Sequence, residues 1–283
     1  MFLIFIRVLP SLCSACQCNK SHKLPFSSTS LTSTHPLEYI YTDLWGPASS
    51  TSIDGFRFYV LFIDHFTKYC WLFPIHRKSD VRSIFYQLKG LLEKQFGFQI
   101  KHLYFENGGE YYALRNYLSS NSISWLTTTP HTPQQNGTSE RRYRHIVETG
   151  LTLLSQAHLS PSYWSYAFQT AVYLINRMPS SVLQNQSPFE CLFGPLPDYT
   201  KMRIFCCQCY PWLKPYTTSK LQSKSIPCLF LGYSTTQSAY KCMDLNSSLI
   251  YLSRNVVFYE SHFPFSTFAP VNMPSLSISG VKA

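Results

Sequence analysis

Residues 56–76 read FRFYVLFIDHFTKYCWLFPIH and carry the clearest secondary-structure signal in the chain. Aromatic and β-branched residues fill both halves of this stretch, as is typical of β-strands. The pattern predicts a hairpin, with one strand at 56–65 and the next at 68–76.

The flanking sequence extends this hairpin into a larger sheet. A first strand is predicted at 38–45 (EYIYTDLW), because Gly46-Pro47 ends the apolar run there. A helix is predicted from Ser79 or Asp80 to Gly97, where apolar residues recur at three- and four-residue spacing. Further elements are predicted as a strand at 100–105, a short helix at 112–120, a strand at 123–127, a loop at 128–137, a long helix beginning at Asn136 or Thr138, and another at 161–177. This order predicts an α/β fold, a mixed five-stranded sheet with flanking helices.

The pattern changes after about residue 195, where long helical periods give way to short strands. Strands are predicted at 226–233, 239–245 and 248–258, with turns between them. They predict a small β-barrel that follows the core. At the other end, the Ser/Thr-rich stretch SSTSLTSTHP (27–36) predicts a linker.

The composition bounds the class of protein. The chain has 283 residues, of which 45% are hydrophobic and 13% charged, so it can form a packed core and is not mainly disordered. The longest apolar runs, such as Phe2–Ile6, have five or six residues, far too few to span a membrane. Arg7 splits the apolar start, which argues against a signal peptide. No membrane partner is expected.

The net charge is +10, and the basic excess lies at both ends. Residues 1–36 hold three basic and no acidic residues, residues 37–193 hold 13 and 11, and residues 194–283 hold eight and three. Basic flanks around a carboxylate-bearing centre suit an enzyme that binds a polyanion. A basic protein whose charges are simply solvated fits the charge balance equally well.

Three acidic residues stand where a sheet and a helix can bring them together. Asp43 lies near the end of the first predicted strand, Glu106 follows the fourth, and Glu140 lies one turn into a long helix. Three carboxylates at one sheet edge can hold two Mg²⁺ ions for phosphoryl transfer on nucleic acid. Taken alone, Asp43 can also cap a turn, and Glu140 can also complement the helix dipole.

Five segments of the chain carry a family resemblance: TDLWGP (42–47), FIDHFTKYCW (62–71), KSD (78–80), ENGGEY (106–111) and TPQQNGTSERRYRH (132–145). In this order and spacing they resemble the integrase catalytic core of copia-type LTR retrotransposons, a retroviral-type integrase with a ribonuclease-H-like fold. The start, CSACQCNKSHKLPF (13–26), resembles the end of the family's zinc-binding pre-integrase module. Three later segments resemble the SH3-like domain that follows the core in this family: KMRIFCCQCYPWL (201–213), PCLFLGYSTTQSAYKCMD (227–244) and YLSRNVVFYESHFPF (251–265).

This resemblance implies a domain organisation. The order is the truncated end of the zinc module at 1–26, the linker at 27–36, the catalytic core at 37–194, the SH3-like β-barrel at 195–265 and a disordered tail at 266–283. The chain is expected to be a piece of a longer Gag-Pol polyprotein.

The resemblance also implies roles for the three acids. Asp43 matches the first metal-binding aspartate of the family, and Glu140 matches its catalytic glutamate; the implied cofactor is Mg²⁺ or Mn²⁺. Glu106 takes the place of the second aspartate, since the family reads SDNGxEF where this chain reads FENGGEY. The additional methylene displaces the carboxylate by roughly 1 Å, which costs on the order of 10²-fold in rate, or about 3 kcal/mol. Weak or lost catalysis is therefore predicted.

Polar and basic residues around Glu140 are candidates for DNA contact. Gln134, Gln135 and Asn136 lie in the loop before the helix and can reach bases or sugars, or can satisfy their own backbone. Arg141 and Arg142 are candidates for phosphate contact, with a solvated helix face as the alternative. Two other acids are given structural roles: Asp64 is predicted to hydrogen-bond within the hairpin, and Glu110 is predicted to lie on the surface.

The cysteines divide into two groups. Cys13 and Cys16 are the remnant of a four-ligand zinc site, and zinc binding is not expected because the histidines that complete the site in the family lie upstream. The cluster Cys206-Cys207-x-Cys209 resembles a metal site, but its apolar surroundings favour buried thiols in a barrel strand.

The function that follows from the resemblance is that of a retrotransposon integrase fragment. Such a protein processes the 3′ ends of element DNA and joins them to target DNA, acts as a homo-oligomer and works in the nucleus; a cytoplasmic location is the alternative. The rival interpretation is a non-catalytic nucleic-acid-binding or assembly protein derived from a decayed element. That rival retains the fold and the basic flanks, whereas Glu106 disables the metal site.

Overall fold

The computed structural model describes residues 32–105, 108–127, 137–216 and 221–265, with the backbone alone described at 137–140 and 215. Contacts divide the chain into Met1–Thr32 and Ser33–Ala283, and every element below belongs to the second unit. Several predictions fall outside the described residues: the zinc-module remnant with Cys13 and Cys16, most of the linker, Glu106, the loop residues Gln134, Gln135 and Asn136, and the tail at 266–283.

A mixed five-stranded sheet forms the first layer of the molecule. Its strands are β1 (Tyr39–Trp45), β2 (Phe58–Asp64), β3 (Cys70–Ile75), β4 (His102–Phe105) and β5 (Ser124–Thr127). They lie in the order β3-β2-β1-β4-β5. The β1–β2 and β2–β3 pairs are antiparallel, and the β1–β4 and β4–β5 pairs are parallel. The predicted mixed five-stranded sheet is confirmed.

Helix α1 (Val81–Phe96) covers one face of this sheet. Its buried side chains, Val81, Phe85, Leu88 and Leu92, recur every three or four residues and therefore form one apolar stripe. The stripe packs into a cluster with apolar residues of β1, β2 and β4. The helix ends at Gly97, whose φ of +72° is the left-handed cap that glycine adopts without a steric cost.

The remaining helices are α2 (Gly109–Tyr112), α3 (Arg115–Ser120), α4 (Gly137–Gln156), α5 (Trp164–Ile175) and α6 (Pro188–Phe193). The single short helix predicted at 112–120 is wrong in detail. It is two helices, and Ala113 and Leu114 between them turn the chain. The helix predicted at 161–177 begins as a short 3₁₀ turn at Pro161–Tyr163 and becomes α5.

Helices α4 and α5 cover the opposite face of the sheet. They cross closely at Gly150, where an added Cβ would lie 2.2 Å from Cδ1 of the buried Phe168. Phe168 and Trp164 of α5 in turn contact the ring of Tyr59 on β2. The sheet is therefore enclosed between α1 and the α4–α5 pair.

A second, antiparallel sheet forms the barrel after the core. Its strands are β6 (Gln208–Pro211), β7 (Cys228–Tyr233), β8 (Tyr240–Asp244), β9 (Ile250–Ser253) and β10 (Val256–Tyr259), in the order β10-β6-β7-β8-β9. The single strand predicted at 248–258 is wrong, because β9 pairs with β8 while β10 pairs with β6. The chain turns at Asn255, whose carbonyl accepts hydrogen bonds from Ser253 Oγ at 2.9 Å and from the Trp212 N–H at 2.9 Å.

The interior of the barrel contains thiols. Cys207, Cys209, Cys228 and Cys242 are buried around Phe230, and all four are free. Burial raises the pKa of the Cys228 thiol to about 12, so it remains protonated at neutral pH. The prediction of buried thiols for the Cys206–Cys209 cluster is confirmed.

The barrel packs directly against α5. The rings of Tyr173 and Tyr233 stack with their centroids 3.5 Å apart. Lys241 Nζ donates a hydrogen bond to Gln169 Oε1 at 2.7 Å. Helix α5 is thus covered by the sheet on one side and by the barrel on the other. Within the described residues, none of the helices is both long and apolar enough to cross a membrane.

Candidate active site

Asp43 lies near the carboxyl end of β1, opposite Leu61 of β2. It is half-buried, and its Oδ1 accepts a hydrogen bond from the backbone N–H of Leu44 at 2.8 Å. Because side chains alternate along a strand, Asp43 lies on the same face as Trp45, the face that α4 and α5 cover. The carboxylate is therefore at the rim between the sheet and these two helices.

Strand β4 ends beside Asp43. The parallel register pairs Tyr41 with Tyr104 and Thr42 with Phe105, the last residue of β4. Thr42 Oγ1 lies 3.0 Å from the hydroxyl of Tyr111 on α2, which ties the segment after β4 to the same part of β1. Strand β4 therefore ends at the residue that pairs with Thr42, the residue directly before Asp43.

Helix α4 approaches the same corner through Tyr143. The ring of Tyr143 stacks on that of Tyr59, with centroids 5.6 Å apart and planes 21° apart. Tyr59 lies on β2 opposite Trp45 and is therefore a diagonal, same-face neighbour of Asp43. The stack places the beginning of α4 over this end of β1 and β2.

The charge of Asp43 acts on both tyrosines. Burial raises the pKa of Tyr59 well above its usual value, and the Asp43 carboxylate raises it further. Burial, the neighbouring Tyr59 and the Asp43 charge all raise the pKa of Tyr143. Both hydroxyls are therefore protonated donors across the physiological range, close to a carboxylate.

The structure places only part of the predicted acid triad. Asp43 is described in full, Glu140 lies in the first turn of α4 with its backbone alone described, and Glu106 lies outside the described residues. In the part of the chain that the structure describes, no three His, Cys, Asp or Glu side chains form a cluster suited to a metal ion. The meeting of all three carboxylates stays a prediction.

Asp64 has the structural role that was predicted for it. It is fully buried and accepts hydrogen bonds from the Leu37 N–H at 2.8 Å, the Thr67 N–H at 2.8 Å and Thr67 Oγ1 at 2.6 Å. Burial raises its pKa, and these hydrogen bonds oppose that shift. It pairs with Ile40, three residues before Asp43, so the turn it stabilises lies towards the other end of the sheet.

Glu110 is half-buried and lies at the surface, as the sequence suggested. Its carboxyl group lies against Gly108, where an added Cβ would come within 2.6 Å of Glu110 Oε1. It lines a surface pocket of about 420 Å³ with Lys78, Ser79, Arg82 and Ala113. Lys78 belongs to the KSD segment (78–80), whereas Arg82 was not singled out from the sequence, and only the fold brings both residues to Glu110.

The two arginines predicted to contact phosphate differ in their surroundings. Arg141 is exposed, whereas Arg142 is half-buried. Burial lowers the pKa of Lys68, and the nearby charge of Arg142 lowers it further, so Arg142 lies near the turn between β2 and β3. Arg141 is the more accessible of the two.

The described part of this corner suits an oxygen-binding divalent cation. Asp43 supplies a half-buried carboxylate on a rigid strand, and carboxylate oxygens are the ligands that Mg²⁺ and Mn²⁺ prefer. The hydroxyls of Tyr59 and Tyr143 are buried next to each other at this corner, and the pKa of each is affected by the other and by the Asp43 charge. No thiol or histidine that would favour zinc is described at this corner.

Comparison with solved structures identifies the fold. The chain is similar to a chain of the simian T-cell lymphotropic virus intasome, solved in complex with the PP2A regulatory subunit B56 gamma. The match has a TM-score of 0.51 and 15% sequence identity, and it covers 85% of this chain and 84% of that one. Residues 207–271 match the family model of the retroviral polymerase SH3-like domain. These matches show the fold, a core like that of the intasome chain followed by a retroviral polymerase SH3-like domain.

Comparison of sequences identifies the family. The chain is 54% identical over 262 residues to the retrovirus-related Pol polyprotein from transposon RE1 of Arabidopsis thaliana, covering 93% of this chain and 18% of the polyprotein. It is 35% identical to the corresponding polyprotein from transposon TNT 1-94 of Nicotiana tabacum, covering 88% of this chain and 19% of the polyprotein. The chain belongs to the retrovirus-related Pol polyproteins of transposons and spans less than a fifth of the length of these two relatives.

Proposed function

We propose that this chain is the integrase segment of a retrotransposon Pol polyprotein, with a metal site formed by Asp43, Glu106 and Glu140. The reaction is processing of the 3′ ends of element DNA, followed by transfer of those ends into target DNA. The observation that carries the proposal is the register of β1 and β4, in which the last residue of β4 stands beside Thr42.

Chain connectivity extends this register to the second acid. Residue 106 follows Phe105 directly, and consecutive Cα atoms lie about 3.8 Å apart. Phe105, the residue before Glu106, pairs with Thr42, the residue before Asp43, and this register supports the assignment of Glu106 to the same site as Asp43.

Helical spacing supports the placement of the third acid, Glu140, near Asp43. Glu140 lies three residues before Tyr143, so the two are neighbours on the surface of α4. The stack of Tyr143 on Tyr59 anchors that surface over β1 and β2. These relations support the convergence of the three acids at one corner.

Mg²⁺ or Mn²⁺ is the cofactor that this site would hold, and the ion would supply Lewis-acid activation of the phosphodiester. The residues of the chain do the positioning. Asp43 is held by its strand and by the hydrogen bond from the Leu44 N–H. The stacked rings of Tyr59 and Tyr143 lie near Asp43, and its charge raises the pKa of both.

Glu106 is expected to weaken this activity. A glutamate keeps the charge of the family's aspartate but places it about 1 Å further from the strand, on an additional torsion. Misplacement of that size costs on the order of 10²-fold in rate.

DNA is the proposed partner, as element ends and as target. Gln134, Gln135 and Asn136 are proposed for the DNA end, and Arg141 and Arg142 for phosphates, with Arg141 favoured by its exposure. The net charge of +10 supports a polyanionic partner.

The same proposal includes a homo-oligomer and a nuclear location. It also includes domain boundaries at 36/37, 194/195 and 265/266.

Strand transfer of a labelled DNA end in Mg²⁺ or Mn²⁺ tests the proposal. Four chains are compared: native, Glu106→Asp, Glu106→Asp with Glu140→Gln, and Glu106→Asp with Glu148→Gln. Glu148 is an exposed acid on the same helix and serves as the matched control. We expect Glu106→Asp to raise strand transfer by about 10²-fold, Glu140→Gln to abolish it, and Glu148→Gln to leave it unchanged. Activity that survives Glu140→Gln would contradict the assignment of the site.

The second candidate is a nucleic-acid-binding or assembly protein without catalysis. Glu106 in place of the family's aspartate favours it, because that substitution can disable the metal site while leaving the fold and the charge intact. Such a protein would bind DNA with a strong salt dependence and no need for Mg²⁺. Salt-sensitive DNA binding with no strand transfer in any of the four chains would favour this candidate.

A further inference from the structure

The two edge strands of the barrel sheet differ in what covers them. Strand β9 forms one edge, where the Tyr216 hydroxyl accepts a hydrogen bond from the Leu252 N–H and donates one to the Leu252 carbonyl oxygen, both at 3.2 Å. Strand β10 forms the other edge and, among the strands that the structure describes, pairs with β6 alone. An uncovered edge presents backbone groups that can pair with a further strand.

The register of β10 identifies the backbone groups that face this edge. The Trp212 N–H donates a hydrogen bond to the Asn255 carbonyl oxygen at 2.9 Å, so these two residues form a hydrogen-bonded pair that continues the β6–β10 ladder. Hydrogen-bonded and non-hydrogen-bonded pairs alternate along an antiparallel ladder. The N–H and C=O groups of Val257 therefore face β6, whereas those of Val256 and Phe258 point to the open edge, where no described residue bonds to them.

A surface groove of about 560 Å³ follows the open edge. Its lining includes Val256, Val257 and Phe258, three consecutive residues of β10. Because consecutive side chains of a strand point to opposite faces, a groove that meets all three reaches over the edge of the strand. Val257 is 70% exposed, and the exposed aromatic rings of Tyr210 and Trp212 also line the groove. The groove thus offers apolar contacts beside unpaired backbone groups.

The charged side chains that line the groove are all basic. Lys224 and Arg254 are exposed, and neither forms an ion pair with another described residue. The third cation, Arg203, has its Nε 3.6 Å from Glu260 Oε1. Ser225 Oγ also lines the groove, and it is buried without a hydrogen-bond partner in the described part of the chain. Two unpaired cations favour a ligand that carries carboxylates or other anionic groups.

We propose that this groove is a docking site for an acidic segment of a partner protein, which binds in an extended conformation and adds a strand to the barrel sheet beside β10. The backbone of the segment pairs with the outward N–H and C=O groups of Val256 and Phe258. Its apolar side chains contact Trp212, and its carboxylates reach Lys224 and Arg254. The phosphodiester backbone of DNA fits this edge less well, because it has no donors for the two carbonyl groups. The inference does not depend on the proposed metal site.

The test measures binding of a fluorescein-labelled decapeptide, in which valine alternates with glutamate, to the full chain by fluorescence anisotropy. Two matched peptides separate the contributions to binding. One is N-methylated at every residue and donates no backbone hydrogen bonds, and the other has lysine in place of glutamate. We expect the acidic peptide to bind and both matched peptides to bind at least about 10-fold more weakly.

Variants and amide exchange locate the bound peptide. Lys224→Gln and Arg254→Gln are each expected to weaken binding by roughly 2- to 5-fold. Lys94→Gln is the matched control, because Lys94 is an exposed lysine on α1, and it should leave binding unchanged. In hydrogen exchange followed by NMR, the amides of Val256 and Phe258 should exchange fast in the free chain and become protected when the peptide binds.

Four outcomes would overturn the proposal. Equal binding of the acidic and N-methylated peptides would exclude strand addition. Amides of Val256 and Phe258 that are already protected in the free chain would show that the chain covers this edge itself. No binding of the acidic peptide at millimolar concentration would exclude such a ligand. Binding of a DNA duplex, weakened by Lys224→Gln and Arg254→Gln while the peptide fails to compete, would assign the groove to nucleic acid.

Discussion

His65 shows how burial controls the charge of a single side chain. It directly follows β2, its Nδ1 lies 2.7 Å from Ser33 Oγ, and the rings of Tyr39 and Tyr41 pack against it. Burial, together with the charge of Lys68, lowers its pKa to about 4. The folded chain therefore holds this imidazole neutral at pH values where the unfolded chain protonates it.

The shift predicts a pH-dependent stability. An unfolded histidine takes up a proton near pH 6.5, whereas folded His65 does so near pH 4. Its contribution is fully present above pH 6.5 and is lost as the pH falls towards 4. We expect urea unfolding of His65→Gln to show a flatter decline in the free energy of unfolding over this interval. Parallel curves for the native chain and the variant would contradict this prediction.

At the scale of elements, Gly150 determines how closely α4 approaches α5, whereas Gly90 of α1 has no such contact. Gly150 in α4 lies where an added Cβ would overlap the ring of Phe168, which is 2% exposed and packed against Tyr59. Gly90 in α1 is exposed and has no atom within 4 Å of the same added Cβ. The same substitution therefore has opposite consequences in the two helices.

We expect Gly150→Ala to destabilise the chain by about 1–3 kcal/mol, because the helices must separate or the aromatic cluster must shift. Gly90→Ala is the matched control and should stabilise the chain by about 0.5–1 kcal/mol, since alanine is the better helix former. Chemical denaturation measures both values. Equal effects of the two substitutions would show that α4 and α5 do not cross at Gly150.

The elements also show what the sequence could predict and what it could not. Strands β2 and β3 are predictable because their aromatic and β-branched residues are continuous, and α1 because its apolar residues are periodic. The break between β9 and β10 could not be predicted from the sequence, because apolar residues are found on both sides of it. The turn depends on hydrogen bonds to the Asn255 carbonyl, one of which comes from Trp212, more than forty residues earlier in the chain.

The candidate site divides in the same way. Asp43 was predictable from a local motif at the end of a strand, and Asp64 from its place in the hairpin. The roles of Tyr59 and Glu110 depend on cross-strand register and on packing between distant segments, which no local pattern encodes. Tyr143 was not singled out from the sequence, although its three-residue spacing from Glu140 places the two on one surface of α4.

At the scale of the whole molecule, the core and the barrel share one interface. Gly232 of β7, with a φ of +119°, brings the barrel backbone against α5, where an added Cβ would meet Thr170 Oγ1. Lys241 is largely buried there, and burial lowers its pKa, while the Asp54 charge opposes that shift. The hydrogen bond from Lys241 Nζ to Gln169 Oε1 ties the barrel to α5.

This interface predicts that the core and the barrel unfold together. We expect a single calorimetric transition for the full chain, with Gly232→Ala lowering the midpoint for both parts by the same amount. Hydrogen exchange, which resolves the strands of the two sheets, checks whether both lose protection together. Two separate transitions, with Gly232→Ala affecting only the barrel, would contradict this prediction.

The central claim is that Asp43, Glu106 and Glu140 form one site for a divalent cation. Anomalous diffraction from crystals grown with Mn²⁺ tests it most directly, because Mn²⁺ scatters anomalously and carboxylate oxygens are among its preferred ligands. We expect an anomalous peak in contact with a carboxylate oxygen of Asp43, with Glu106 and Glu140 as its other protein ligands. A peak bound elsewhere, or none at Asp43 at saturating Mn²⁺, would contradict the account.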